Sequence, residues 1–297
     1  MRYRVILLGL FIVVLILIIG LRINKPEPRQ DGVLFTNSAV NFHQSGFFEM
    51  EKDIIKELNS KGNNQNSNYW TQIGITSHHL PTALPLIADF YKTLLNSQGP
   101  RETFIILGPD HFERCQTPVA TTNNSYITPF GQLEIDKSIV KELLNTGVNI
   151  NSQCLDKEHS IKVQTIFIKY LFPEAKIVPL IFSATTEDDI INKIVNVLLE
   201  HKDRITIIAS VDFSHYYSYD QAVQLDNISE EMIKKLDSSS FTLRYTDSPG
   251  SLKLVILLAE KIGSNSPIVL NKSNSYNLTD QFENTTGYMN ILFIRVD

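Results

Sequence analysis

The chain has 297 residues, and its 27 Lys and Arg against 32 Asp and Glu give a formal net charge of -5 at pH 7. This balance, without a basic stripe, argues against nucleic acid as a main partner. An apolar fraction of 43% is ordinary for a globular protein and excludes disorder over most of the chain.

The N-terminal region contains an uninterrupted apolar run at residues 5–21, bounded by Arg4 and Arg22. A helix of this length reaches about 25 Å, slightly short of a hydrocarbon core of about 30 Å, and the flanking arginines extend its reach. A cleaved signal peptide is the rival interpretation, but the run is long for one and no small-x-small cleavage site follows it. We expect an uncleaved transmembrane signal anchor within residues 1–23.

Basic residues flank this run on both sides, so the positive-inside rule does not decide its orientation. Anchors of this kind commonly leave the bulk of the chain outside, and we therefore expect a single-pass membrane protein with an extracytoplasmic domain. A juxtamembrane linker and N-terminal extension are expected at residues 24–70, and an α/β domain at residues 71–297.

Alternating strands and helices are predicted after the linker. Buried apolar runs predict strands at residues 73–76, 103–107, 176–182, 205–208 and 288–294. Helical spacing predicts helices at residues 50–58, 81–95, 136–144, 160–171, 188–200, 221–236 and 249–262. Pro179 within a predicted strand suggests an edge or a bulge. The alternation predicts an α/β fold with a mixed, largely parallel sheet that helices cover on both faces.

Polar side chains follow several predicted strands, above all in the stretch Ala209-Ser210-Val211-Asp212-Phe213-Ser214-His215-Tyr216. Ligands of open α/β sheets usually bind at the carboxyl ends of the strands. Neutral imidazoles with a carboxylate suit iron, copper or zinc, and two histidines with one carboxylate are typical of non-haem iron. We therefore predict a polar pocket with a metal site, to which Asp212, His215, His78 and His111 contribute donors.

Other roles remain open for these residues. His78 and His79 are adjacent and point to opposite sides of an extended segment, so at most one is expected to be a ligand. Asp212 can cap the following turn. His159 is equally compatible with a pocket-lining role, general acid–base catalysis and direct ligation. Whether Cys115 and Cys154 form a disulfide also stays open.

The motifs, taken in this order, resemble the Memo-like family, whose bacterial members are called AmmeMemoRadiSam system protein B. The resemblance covers the chain from about Ile73 to the C-terminus. It depends on Ser77-His78, Leu107-Gly108-Pro109-Asp110-His111, Glu158-His159-Ser160 with Gln164, Val211-Asp212-Phe213-Ser214-His215 and Gly287-Tyr288.

The resemblance implies a fold related to the class III extradiol dioxygenases, which are non-haem iron enzymes. It implies that His78, His111 and His215 bind the metal, that Asp212 also lies in the site, and that His159 lines the pocket. Relatives place a Cys in the metal pocket just before the penultimate helix, where this chain reads Thr246-Asp247-Ser248-Pro249-Gly250. A ligand set of nitrogen and oxygen alone shifts the preference from Cu(I) toward Fe(II) or Zn(II).

The expected function is that of a membrane-anchored metalloprotein with an oxidoreductase-like site, with Fe(II) preferred and zinc or copper as alternatives. His159 and Asp212 are the candidate catalytic residues. A metal-assisted hydrolase and a non-enzymatic module that binds a ligand or peptide are the two competing hypotheses. The expected partners are a small molecule or peptide and the membrane.

Overall fold

The computed structural model describes residues 39–40, 49–60, 69–280 and 284–296. The predicted anchor at residues 1–23 and most of the predicted linker at residues 24–70 lie outside the described residues. Within the described part, no helix combines the length and the apolar character that crossing a bilayer requires. The membrane anchor therefore stays a prediction.

Eleven strands form one mixed sheet among the described residues. They are β1 (Ala39–Val40), β2 (Thr71–Thr76), β3 (Thr103–Pro109), β4 (Val119–Thr121), β5 (Ser125–Thr128), β6 (Gly131–Ile135), β7 (Val148–Ile150), β8 (Lys176–Phe182), β9 (Ile205–Ser210), β10 (Ser266–Asn274) and β11 (Gly287–Ile294). The order is β1-β5-β6-β8-β3-β9-β2-β11-β10, and β4 pairs with β7 and β8. Because β8, β3, β9 and β2 are parallel neighbours and β11 and β10 are antiparallel, the predicted mixed, largely parallel sheet is confirmed.

Helices pack against this sheet in two groups. Their bounds are α1 (Glu51–Asn59), α2 (Leu84–Leu95), α3 (Lys137–Leu143), α4 (Ser152–Leu155), α5 (His159–Leu171), α6 (Asp188–Glu200), α7 (Tyr219–Lys234), α8 (Pro249–Ile262) and α9 (Ser275–Thr279). Helices α2 and α5 contact each other and the central strands, and α6 contacts α8, which packs on the same strands. Every residue of β2, β3 and β9 is buried. Since side chains alternate along a strand, both faces of the central sheet are covered.

Pro179 lies in β8, an interior strand of the sheet, and its register with β3 is regular. The edge strand or bulge that this proline suggested is therefore not found. On one side β8 pairs with β3, and Pro179 stands opposite Ile106. On its other side, β8 pairs with β6 at Lys176 and Ile177 and with β4 at Ile181 and Phe182. Pro179 occupies the gap between these two neighbours, so its missing N–H breaks no ladder on that side.

Two local predictions differ from the structure. Helix α2 begins at Leu84, three residues later than predicted, after a turn that contains Pro81. Strand β10 was not predicted, since its partly exposed residues alternate irregularly between apolar and polar. Asp136 caps α3, because its carboxylate accepts hydrogen bonds from the backbone N–H groups of Ser138 and Ile139.

The strand order determines where the polar motifs meet. Strands β3, β9 and β2 are consecutive, parallel neighbours, so their carboxyl ends lie side by side at one edge of the sheet. His78 follows β2, His111 follows β3, and Asp212 and His215 follow β9. Parallel pairing alone therefore brings together histidines that are more than a hundred residues apart in the chain.

Candidate metal centre

A cleft of about 800 Å³ opens at this edge of the sheet. Its wall includes the five histidines of the strand ends and of the start of α5, together with Asp212 and Asp247: His78, His79, His111, His159 and His215. No lysine or arginine is among the described residues that line it. The cleft thus combines buried carboxylates with imidazoles and contains no permanent cation of its own.

Three donor atoms form a small triangle in the cleft. The Nε2 atoms of His78 and His111 are 3.2 Å apart. Asp247 Oδ2 lies 3.3 Å from His78 Nε2 and 3.5 Å from His111 Nε2. Ligands that share one ion about 2.1 Å from each of them have separations of this size. The triangle therefore fits a single transition-metal ion.

His111 owes its orientation to Glu158, the N-terminal cap of α5. The Nδ1 atom of His111 is 2.8 Å from Glu158 Oε1, and the His111 backbone N–H donates to Oε2 at 3.2 Å. Glu158 is buried and also accepts a hydrogen bond from the backbone N–H of Ser160. A carboxylate that holds the outer ring nitrogen keeps a proton at Nδ1 and points Nε2 into the cleft.

The imidazoles of His215 and His78 are also oriented by contacts at their Nδ1 atoms. His215 Nδ1 donates to the carbonyl oxygen of Phe213 at 2.7 Å. His78 Nδ1 lies 3.4 Å from the hydroxyl of Ser210, whose own proton goes to the Ser160 carbonyl oxygen. Both contacts are made through Nδ1, so the Nε2 atom of each histidine faces the cleft.

Asp212 faces the same space as these imidazoles. Its Oδ1 atom accepts a hydrogen bond from the Ser77 hydroxyl at 2.5 Å. Its Oδ2 atom lies 3.9 Å from Nε2 of both His78 and His215, and 3.9 Å from Nδ1 of His79. These distances exceed hydrogen-bond length, so Oδ2 points to the centre of the cluster without a close protein partner.

Asp247 was missed as a site residue by the sequence analysis. It lies just before α8, and its two carboxylate oxygens each accept from the Asp212 backbone N–H at 3.2 Å. In return, the Asp247 N–H donates to the Asp212 carbonyl oxygen at 3.1 Å. The available signal was its place in the Thr246-Asp247-Ser248 segment, where the resemblance puts a metal-pocket Cys.

The predicted metal ligands do not all lie equally close to one another. The donor atoms of His78, His111 and His159 all lie within 4.8 Å of one another, as do those of His78, Asp212 and Asp247. His215 belongs to neither group. It lies beside Asp212 at the cleft wall, and its direct ligation of a metal stays a prediction.

His159 stacks on His111 with ring centroids 4.3 Å apart, and its Nδ1 atom is 3.4 Å from Glu158 Oε1. Burial, with the neighbouring His78 and His111, lowers the pKa of His159 to about 4. The imidazole is therefore neutral at pH 7 and has a lone pair for a metal or a proton.

The charges of the cluster attract a cation. Burial disfavours ionised Asp247, but hydrogen bonds with His111 and His78 lower its pKa below the ordinary value. Burial disfavours charge on His111 as well, yet Asp247 and Glu158 raise its pKa to about 10. Burial by itself would raise the pKa of Glu158, but the hydrogen bond and the charge of His111 lower this pKa to about 2. The carboxylates thus stay ionised and stabilise positive charge at the imidazoles.

A disulfide between Cys115 and Cys154 lies beside the centre, with a Cα–Cα distance of 5.2 Å. Cys115 follows His111 by four residues, and Cys154 precedes Glu158 by four. The pairing left open by the sequence is therefore present in the structure.

The fold and the cluster define an α/β protein with a histidine and carboxylate centre at the carboxyl edge of its parallel strands. A family model described as Memo-like protein matches residues 45–291, and the chain belongs to this family. The predicted family resemblance is therefore confirmed.

Several curated relatives of this chain are MEMO1 family proteins. A MEMO1 family protein of Methanococcus maripaludis is 30% identical over 254 residues, which cover 80% of this chain and 88% of the relative. One of Methanopyrus kandleri is 30% identical over 223 residues, covering 71% and 78%. One of Pyrobaculum aerophilum is 28% identical over 223 residues, covering 71% and 79%.

Proposed function

We propose that the protein is a metalloprotein whose centre binds one divalent transition-metal ion through His78, His111 and Asp247. The triangle of donor atoms, with sides of 3.2, 3.3 and 3.5 Å, carries this proposal. Asp212 is the further carboxylate next to the ion, as a ligand or an orienting group. His79, His159 and His215 are the further imidazoles within the cleft.

Fe(II) is the ion that we propose for this centre. Two imidazoles and one carboxylate are the donor set of the non-haem iron oxygenases, which leave coordination positions open. The segment in which the resemblance places a Cys, Thr246-Asp247-Ser248-Pro249-Gly250, contains Asp247 here, which offers a hard oxygen donor and not a soft thiolate. This exchange disfavours Cu(I) and leaves Zn(II) as the main competitor.

An oxidoreductase is the activity that this centre supports best. When bound, Fe(II) supplies redox chemistry and Lewis acidity toward an oxygen atom of O₂ or of a substrate. Burial lowers the pKa of His159 to about 4, so its imidazole is neutral at pH 7 and holds a transferred proton only transiently. This is the acid–base role that we propose for it, and its Nδ1 atom lies 3.4 Å from Glu158 Oε1.

The charge of the cleft limits the class of ligand. Its wall contains the carboxylates of Asp110, Glu113, Asp212 and Asp247 and no described lysine or arginine. A polyanionic substrate would find only the metal to pair with and would face these carboxylates. We therefore propose a neutral or positively charged small molecule or peptide segment as the ligand.

The domain is proposed to lie outside the cytoplasm, anchored by the apolar run at residues 5–21. The Cys115–Cys154 disulfide supports an oxidising location, since disulfides persist mainly in such compartments. Labelling of intact cells with a membrane-impermeant protease or biotin reagent tests this placement. Labelling only after lysis would contradict it.

Metal binding is tested on the full-length chain, purified in detergent under anaerobic conditions and loaded with Fe(II) or Zn(II). We expect one equivalent of metal per chain in the wild type and less than a tenth of that in the triple His78→Ala, His111→Ala and Asp247→Ala variant. The matched control is His201→Ala, because His201 lies outside the cleft and pairs with Glu142. Equal metal content in all three proteins would refute the proposed centre.

Activity is tested on the loaded wild type. Oxygen consumption with Fe(II), abolished in the triple variant, supports the oxidoreductase. Tight zinc with hydrolytic turnover and no oxygen consumption would favour a hydrolase. Ligand binding that is unaffected by metal removal would favour the non-enzymatic module.

A further inference from the structure

The segment that carries His111 is held by few packing contacts. Between residues 111 and 118, Cys115 alone is buried, and Phe112, Glu113 and Arg114 are exposed. Glu113 and Gln116 both adopt the left-handed region, with φ of 48° and 50°. Non-glycine residues hold this conformation only where the surroundings impose it. The loop at residues 110–118, called here the His111 loop, therefore needs an external tether.

The Cys115–Cys154 disulfide is the covalent tether of this loop. Both cysteines are buried, with exposed fractions of 3% and 5%. Asn151 adds polar contacts on the same side, because its side chain donates to the Cys115 carbonyl oxygen and caps α4 by accepting from the Cys154 N–H. Asp110 closes the loop internally through the Cys115 N–H.

The disulfide and the His111–Glu158 contact close one ring. The chain runs from His111 to Cys115, crosses to Cys154, continues to Glu158 and returns through the 2.8 Å contact between Glu158 Oε1 and His111 Nδ1. Cross-linking two segments raises the effective concentration of one for the other. The disulfide thus favours the contact between His111 and Glu158, and this contact orients the His111 imidazole toward the metal centre.

We propose that Cys115 and Cys154 are positioning residues for the metal centre, and that their oxidation to the disulfide sets the metal affinity of His111. This inference rests on the proposed metal site. Reduction by a dithiol breaks the S–S bond, adds two electrons and two protons to give two thiols, and leaves the dithiol as a disulfide. The released His111 loop then samples positions in which Nε2 no longer faces His78 and Asp247.

Co(II) is the probe, because its absorption bands report both binding and coordination. The full-length chain in detergent is titrated as oxidised wild type and as the Cys115→Ser, Cys154→Ser double variant. We expect the double variant to bind Co(II) about tenfold to a hundredfold more weakly, the range found when groups that orient metal ligands are removed. The matched control is Asp136→Ala, which weakens the fold at the opposite edge of the sheet and leaves Co(II) affinity unchanged.

A double-mutant cycle with Glu158→Gln separates positioning from general stabilisation. If the disulfide acts through the His111–Glu158 contact, its loss costs less affinity in the Glu158→Gln background than in the wild type. A purely structural role predicts equal losses in both backgrounds.

Reduction of the wild type keeps the test decisive if the double variant does not fold. The protein is reduced with dithiothreitol, desalted anaerobically, checked by circular dichroism and titrated with Co(II). Weaker binding that recovers on reoxidation supports the proposal, and equal affinity of the folded oxidised and reduced proteins overturns it. Absence of Co(II) binding in the oxidised wild type would instead refute the metal centre itself.

Discussion

A buried aspartate lies at each of the two edges at which strands β3 and β9 begin and end. Asp136 lies at the amino edge and Asp212 at the carboxyl edge, and the groups around their carboxylates differ. At the amino edge, Asp136 Oδ2 lies 2.6 Å from Arg204 Nη1 and accepts from the Thr103 hydroxyl at 2.9 Å. Its other oxygen accepts from backbone N–H groups of α3. At the carboxyl edge, Asp212 Oδ2 lies 3.9 Å from imidazole nitrogens of His78, His79 and His215.

This difference separates a structural cluster from a candidate functional one. At Asp136, the guanidinium and the donors of the strand and helix neutralise the charge within the fold. At Asp212, which is buried, and Asp247, which is partly buried, negative charge converges on a space whose described wall lacks lysine and arginine. Because buried charges are stabilised by pairing or by metal coordination, the carboxyl edge can hold a cation.

The largest expected effect comes from removing donors at the carboxyl edge. The His78→Ala, His111→Ala variant should bind Fe(II) or Zn(II) more than about a hundredfold more weakly, since loss of an orienting group alone costs tenfold to a hundredfold. Competition with a chelator of known affinity measures this change. Asp136→Ala should keep wild-type affinity, and a loss there would erase the distinction between the two edges.

Stability is expected to depend most on the amino edge. Asp136→Ala leaves Arg204 with Glu102 as its remaining carboxylate partner and removes the cap of α3, which together should cost about 3 kcal/mol of unfolding free energy. Urea unfolding of the metal-free proteins measures it. Asp212→Asn should cost less than about 1 kcal/mol in the same assay, because the isosteric amide keeps an oxygen for the Ser77 hydroxyl while relieving unpaired charge. A larger loss for Asp212→Asn would contradict the comparison.

Acid should lower the unfolding free energy of the metal-free protein, because Glu158 becomes protonated. The folded-state pKa of this carboxyl is lowered from 4.5 to about 2 by its contact with His111 against the effect of burial. A depressed pKa contributes stability that is complete above pH 4.5 and lost as the pH falls toward 2. Glu158→Gln should flatten this part of the pH profile, with a change on the order of 2 kcal/mol. If wild type and Glu158→Gln lose the same unfolding free energy as the pH falls, the contact between Glu158 and His111 adds no stability.

The smallest effect is a change of metal preference. Asp247→Cys introduces a thiolate at the triangle and should shift the ratio of Zn(II) to Fe(II) affinity toward zinc by about tenfold, because zinc is the softer ion for sulfur. Competitive loading followed by elemental analysis measures the ratio. Ser248→Cys is the matched control, since it adds a thiol to the neighbouring buried position. Equal ratios in wild type and Asp247→Cys would place residue 247 outside the coordination sphere.

Local pattern determined much of the fold. The isoleucine-rich runs of β3 and β9 have to be buried on both faces, and a parallel central strand satisfies this. The strand ends that carry His78, His111, Asp212 and His215 could be identified from the same runs. The family could be recognised because the order and spacing of these motifs are properties of the chain itself.

The tertiary structure alone decided which of these side chains approach one another. Asp247 joins His78 and His111 because the start of α8 lies against the end of β9, a proximity that no local pattern contains. Pro179 is accommodated inside the sheet because two different strands flank β8 there. Contacts between distant segments depend on strand order and packing, whereas sequence patterns report burial and secondary structure within a few residues. The pairing of Cys115 with Cys154 follows the same rule, since it requires the His111 loop and helix α4 to meet.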